Sequence, residues 1–149
     1  MMFQILVGCA LIVITSCVHA LGMTIGLRSI TASNRKKRLA NASLLFRSLT
    51  ISAFILILFF ATLAEAGIWA LTFTKLGAIP DFLEAFYFST VTYTTLGYGD
   101  IVLDGKWRIL SSFEAANGLI MFGWTTALVF ESIHQFSKAL SDFKTLSHS

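Results

Sequence analysis

Apolar and polar positions in this chain separate on the scale of whole segments rather than single helical turns. Residues Phe3 to Leu27 are apolar except for Gln4, a few Ser and Thr, and His19. A charged stretch, Arg28 to Arg47, comes next. It overlaps the start of a second apolar run, Leu44 to Phe73, which has no charge between Arg47 and Glu65. The third run is Ile109 to Gln135. Each run is long enough to cross a bilayer as a helix, which takes about 20 apolar residues. Between the second and third runs, Thr74 to Pro80 reads as a linker. Asp81 then supplies an N-cap, with Glu84 three residues later in the manner of a capping box. The helix so opened is predicted to run to about Tyr93; at about 13 residues it is too short to span. A polar loop, Thr94 to Asp100, follows it. Irregular backbone at membrane depth is tolerated only where protein buries it or where it lines water, so this helix and loop are predicted to enter the membrane and return. The return, Ile101 to Arg108, carries Asp104, Gly105, Lys106 and Trp107. Trp69 and Trp107 are expected to anchor at the membrane interface, where Trp is enriched.

Composition agrees with this division. Of the 149 residues 56% are hydrophobic and 13% charged, with 14 Phe and one Pro. Soluble domains carry about 25% charge, so the chain is read as an integral membrane protein and not a soluble one. The net charge of +3 does not call for a nucleic acid. Six of the basic residues, Arg28, Arg35, Lys36, Lys37, Arg38 and Arg47, cluster beside apolar segments. By the positive-inside rule their loop is cytoplasmic, which puts the N-terminus outside and the C-terminus in the cytoplasm. The first run is expected to be retained as a helix, since it lacks the basic n-region of a cleaved signal and exceeds a usual h-region. Cys9 and Cys17 share that run and show no disulfide or metal-ligand spacing. No nucleophile, phosphate-binding or metal constellation appears, so neither an enzyme nor a resident cofactor is expected. No helix carries Arg at every third position, which argues against a voltage sensor. About 14 residues after the last span leave no room for a nucleotide- or calcium-binding domain.

The loop Thr94-Thr95-Leu96-Gly97-Tyr98-Gly99-Asp100 carries the chemistry. It resembles the filter of potassium channels, whose pattern is Thr-Val/Ile-Gly-Tyr-Gly, with Leu96 in the second place. The chain resembles small prokaryotic channels of the ion-transport-2 type and the pore units of two-pore-domain channels; the resemblance covers roughly Leu44 to Gln135. It implies an all-α pore fold of three membrane helices plus a re-entrant pore helix, closed as a homotetramer in a prokaryotic plasma membrane. Potassium sheds water for oxygens of similar strength, and these would come from Thr95, Leu96, Gly97 and Tyr98. Gly97 and Gly99 lack Cβ and so permit the backbone turns required. Thr94, Gly99 and Asp100 would support the filter, and Tyr87 and Phe88 match the family's aromatic cuff. Val91 stands where some bacterial members have a Glu that pairs with the Asp after the filter, so Asp100 is expected to lack that partner. The ligand implied is the permeant potassium ion, with membrane lipid around the tetramer.

Other candidates follow from position. Glu65 and Glu114 lie roughly 12 Å and 10 Å inside their runs at 1.5 Å per residue. Such carboxyls should face protein and are expected to hold the pore helix through Thr92, Tyr93 or Asn117. His19, at membrane depth, is expected to bond to a neighbouring helix or to respond to pH together with His134. Gly22 and Gly26 form a small-xxx-small pair suited to close helix approach. Gly118 falls where the family places its hinge glycine, with Gly123 a second candidate; close packing is the alternative for both. Leu119, Phe122, Thr126 and Phe130 would line the cavity, and Glu131 would form a ring at the inner mouth. Phe136, Ala139, Phe143 and Leu146 recur at heptad spacing, as in a short bundle or a membrane-surface helix. The expected organisation is therefore an added helix and basic loop (1–43), a pore domain (44–136) and a short tail (137–149). The function expected is passive, selective potassium conduction. A weakly selective cation channel and a non-conducting membrane subunit are the alternatives.

Overall fold

The structure is a computed structural model that describes residues 1–34 and 44–147. Arg35, Lys36, Lys37 and Arg38, the centre of the basic loop, lie outside the described residues. Four helices account for most of the chain: α1 (Met2–Asn34), α2 (Leu44–Lys75), α3 (Phe82–Tyr93) and α4 (Arg108–Ser147). Three contain segments long and apolar enough to cross a membrane, Met2–Arg28, Ser48–Lys75 and Arg108–Glu131. The twelve residues of α3 extend about 18 Å, too short to cross. The all-helical membrane fold expected from the sequence is the fold observed.

Local chemistry sets where α2 stops and α3 starts. Gly77, at φ 68°, ends α2 in a left-handed turn. Its N–H bonds to the Thr74 carbonyl at 3.1 Å, and the Ala78 N–H reaches back to Phe73 at 2.9 Å. This is the Schellman pattern. Three residues after Ala78, the Asp81 side chain accepts the Glu84 N–H at 2.8 Å, which caps α3 as the sequence predicts.

Helix α3 lies against α2 and α4, and α1 lies against α2 and α4 on its own side. Among the described residues α1 and α3 are not packed together. Leu11, Thr15, His19 and Met23, four residues apart, are all buried, so they form the inward stripe of α1. Glycines bring the backbones close. A Cβ on Gly22 would stand 2.9 Å from that of Ala61, and one on Gly26 would strike the Phe54 ring. The close approach expected of this glycine pair is therefore present, directed at α2. Gly8 makes room in the same way for Phe113 of α4.

The core gathers at the α3 end of the bundle, where Trp69, Ala70, Phe73, Phe88, Tyr93 and Leu110 are buried together. Two expectations are corrected here. Trp69 is fully enclosed and Trp107 is 8% exposed, so within the chain neither is an interfacial anchor. Trp69 shares the inward face of α2 with Ala66, Ala70 and Phe73, where the large ring fills the space toward α3. Trp107 packs in the same core, with the Lys106 ammonium 4.7 Å over its ring. Helix α4 continues without a break through Gln135 to Ser147; the side chains of Phe136, Ala139, Phe143 and Leu146, the heptad positions, lie outside what is described.

Candidate functional site

The site is the loop between α3 and Ile101, and its backbone is its main feature. Thr95, Gly97 and Gly99 have φ of 59°, 54° and 77°, whereas Leu96 and Tyr98 are not among the positive-φ residues. Left-handed positions thus recur at every second residue. In an ordinary strand successive carbonyls point to opposite sides; a reversal of backbone handedness at alternate residues turns them toward one side. Glycine adopts positive φ without penalty. Thr95 does not, because a β-branched residue at positive φ is strained. The sequence gives no sign of that strain, which persists only where the surroundings hold it.

Those surroundings can be named. At the α3 end the Thr94 N–H bonds to Thr90 at 3.1 Å and the Thr95 N–H to Thr92 at 2.9 Å. The Val91 carbonyl accepts from both Leu96 and Gly97, at 3.0 and 3.2 Å. The amide hydrogens of Thr94 to Gly97 therefore point back into α3. At the far end the Tyr87 hydroxyl donates to Asp100 Oδ2 at 2.7 Å, and the Ile101 N–H donates to Oδ1 at 3.1 Å. With Val91 in place of a Glu, Asp100 has no carboxyl partner there, and its partner is Tyr87 instead. This bond holds the Asp100 carboxyl below its ordinary 3.8 and pushes the Tyr87 phenol above 10.0. Phe88, the other expected cuff residue, is buried in the core and meets Phe73 edge to face at 5.4 Å.

Tyr93, the last residue of α3, is the pivot that sequence reasoning underrated. Its hydroxyl donates to Glu65 Oε2 at 2.6 Å. The Tyr93 carbonyl lies so close to Gly118 that a Cβ there would overlap it, and its ring meets Phe122 at 6.3 Å. Gly118 is therefore required for close packing whether or not α4 bends there. Among the described residues, Gly123 has nothing within 4 Å of a would-be Cβ. Glu65 in turn accepts from His19 Nδ1 at 2.8 Å, and the Thr125 hydroxyl lies 3.0 Å from His19 Nε2. One turn away, Asn117 Nδ2 donates to Thr15 Oγ1 at 2.7 Å.

Glu65 thus ties α2 to the last residue of α3. Glu114 is fully buried and faces Ser89 of α3, and among the described residues neither its carboxyl oxygens nor the Ser89 hydroxyl makes a hydrogen bond of good geometry. Of the candidate cavity residues, Thr126 and Phe130 are exposed on the single chain, whereas Phe122 is half-buried with its ring turned to Tyr93. Glu131 is exposed at the far end of the α4 membrane segment, Arg108–Glu131, from the loop. The loop itself, Thr94 to Asp100, is exposed throughout. Beside it, a groove of about 260 Å³ runs between α2, α3 and α4, walled by Phe59, Thr90, Thr94, Phe122 and Thr125. No group of three or more His, Cys, Asp or Glu among the described residues could hold a metal ion.

A scan against protein-family models matches residues 50–135, more than half of the chain, to a family described as ion channel. The match begins in α2 and ends in α4, so it contains the α3 helix and the loop and omits α1. Searches of curated proteins and of solved structures found no match to the chain.

Proposed function

The chain belongs to the ion channel family, and on that premise we propose that it conducts potassium selectively and passively through a filter made by Thr95, Leu96, Gly97 and Tyr98. As an ion channel with membrane-spanning helices it works among ions and lipid. The observation that carries potassium selectivity is the alternation of left-handed positions at Thr95, Gly97 and Gly99 on the Thr-Leu-Gly-Tyr-Gly sequence. It supports a row of carbonyl oxygens aimed one way, able to replace the water that potassium sheds.

One such row cannot surround an ion, so the reading includes four chains. In a single chain Leu96, Tyr98, Leu119 and Phe130 are 55%, 67%, 65% and 71% exposed, which favours cover by neighbouring copies around the filter and the cavity below it. Thr94, Gly99, Asp100, Tyr87 and Phe88 support the filter in this account. Gly118 and Gly123 are the candidate bends of α4, Thr126 and Phe130 the cavity lining, and Glu131 a ring at its mouth. The filter end faces outside and the basic loop faces the cytoplasm. Potassium is the permeant ion, and no cofactor is required.

Flux from liposomes containing only the purified protein, loaded with potassium or with sodium, tests the proposal. Potassium flux that far exceeds sodium flux and is blocked by barium, a divalent ion of similar size, is the expected result. Equal flux of both ions would place the chain among weakly selective cation channels, and Gly97→Ala with unchanged selectivity would remove the filter assignment.

A further inference from the structure

Helix α1 lies outside the family match and does not pack against α3. It nevertheless reaches the base of the filter through one line of buried side chains. His19 bonds to Glu65 at 2.8 Å, and Glu65 to the Tyr93 hydroxyl at 2.6 Å. Tyr93 is followed directly by the loop. All three side chains are fully buried, and they come from α1, α2 and α3. A fourth helix joins through Thr125 of α4, 3.0 Å from the other ring nitrogen of His19.

The line has no gap. Each Glu65 oxygen has one partner: Tyr93 donates to one, and His19 Nδ1 shares a hydrogen bond with the other. The Thr125 hydroxyl pairs with the remaining ring nitrogen, Nε2. Buried polar groups arranged in this way fix geometry, because each displaced member would leave a partner unsatisfied. What they fix is the Tyr93 side chain, two residues before the strained Thr95. Tyr93 is also flanked by the Phe122 ring and by Gly118, which packs on its carbonyl, but neither bonds its hydroxyl. Strain in a backbone persists when the surroundings over-determine it. A released Tyr93 would let Thr95 relax and turn its carbonyl off the row.

We propose that α1 is a positioning element for the filter, with His19 acting through Glu65 to hold Tyr93 and so keep Thr95 in its left-handed, ion-facing conformation. His19 is a positioning residue and does not touch the ion. The inference rests on the filter reading above, and it gives the helix outside the family match a role in selectivity.

The experiment measures potassium-to-sodium permeability and barium block in folded, reconstituted protein for four variants. His19→Leu keeps volume and removes both bonds. Asn at this position places an amide N–H near the site of Nδ1, so His19→Asn retains the bond to Glu65. Tyr93→Phe removes a single hydroxyl and leaves the packing. The fourth variant joins His19→Leu to Tyr93→Phe. The expected result is a fall of about tenfold in selectivity and a matching loss of barium affinity for His19→Leu and for Tyr93→Phe, the scale of one buried hydrogen bond. His19→Asn should stay within about twofold of the parent by the same scale. The double variant should be no worse than the worse single, because both changes cut one line. A merely structural role would lower the yield or thermal stability and leave the permeability ratio of the folded fraction unchanged. If His19→Leu does not fold, Tyr93→Phe and His19→Asn decide the matter alone. Parent-like selectivity and block in the folded variants, or effects that multiply in the double variant, would overturn the inference and leave the filter reading intact. A parent protein with no preference for potassium would overturn both.

Discussion

Glu65 and Glu114 form a natural pair for comparison. Both are wholly enclosed at similar depth in their helices, and both lie near the end of α3. Glu65 has a partner on each oxygen, from two helices, while Glu114 faces Ser89 and, among the described residues, neither of its oxygens makes a hydrogen bond of good geometry. Depth alone therefore does not decide what a membrane acid does. Its partners do, and they come from elsewhere in the chain: His19 is 46 residues from Glu65, and Tyr93 is 28. An acid with fixed partners orders its surroundings. One without them contributes little to order and is most easily accommodated as a neutral group.

Substitutions should separate the two regions, beginning with the packing that both share. Gly118→Val would drive a side chain into the Tyr93 carbonyl, which is backbone and cannot move aside. Loss of folded protein after reconstitution is expected, and well-folded, conducting Gly118→Val would show that α3 and α4 need not approach so closely. Next in size is Glu65→Leu, which strands His19 and Tyr93 inside the bundle. A buried network broken from one side costs about 3–5 kcal/mol, read as a large drop in the thermal unfolding temperature in a fixed detergent. Glu114→Gln keeps the size of a side chain that makes no hydrogen bond of good geometry among the described residues. Its effect is expected to stay within about 1 kcal/mol, ordinary for a change that breaks no partnership. If Glu114→Gln were as damaging as Glu65→Leu, the contrast between the two acids would fail.

The outer end of the loop supplies the smallest effect and a pH test. Tyr87→Phe removes the exposed bond to Asp100 and should modestly weaken barium block. Because the carboxyl is held below its ordinary value, the bond stabilises the folded form above 3.8 and loses that contribution as pH falls through the lowered folded value. The difference between parent and Tyr87→Phe should thus be constant across neutral and mildly acidic pH and vanish only below the ordinary carboxylate range. A difference that changed near neutrality would mean that another group controls this end of the loop.

Much of this arrangement is legible in the residue pattern because it depends on local rules. Three long apolar runs give three spanning segments, and Asp81 with Glu84 gives the start of α3. Gly97 and Gly99 mark left-handed positions. The inward turn of Glu65 follows from the cost of a carboxyl in lipid. What the pattern does not contain depends on distant residues. Thr95 looks like any threonine, and its positive φ is imposed by bonds from the loop back to α3. Tyr87 lies 13 residues before Asp100 and becomes its partner only once the loop has folded back over the helix. Trp69 reads as an interfacial residue because its depth suggests one, while its face on α2 points to the core. His19 is visible as a polar outlier in an apolar run, yet nothing near it in sequence indicates that its bonds lead to Glu65 and Thr125.

The central claim, that the alternating loop selects potassium, is met most directly by a reversal potential. Purified protein in a planar bilayer, with potassium on one side and sodium on the other, reports the permeability ratio without assumptions about gating or yield. The account predicts a large potential of the sign that favours potassium, abolished with conduction or collapsed toward zero in Gly97→Ala. A parent channel that conducts with a reversal potential near zero would contradict it.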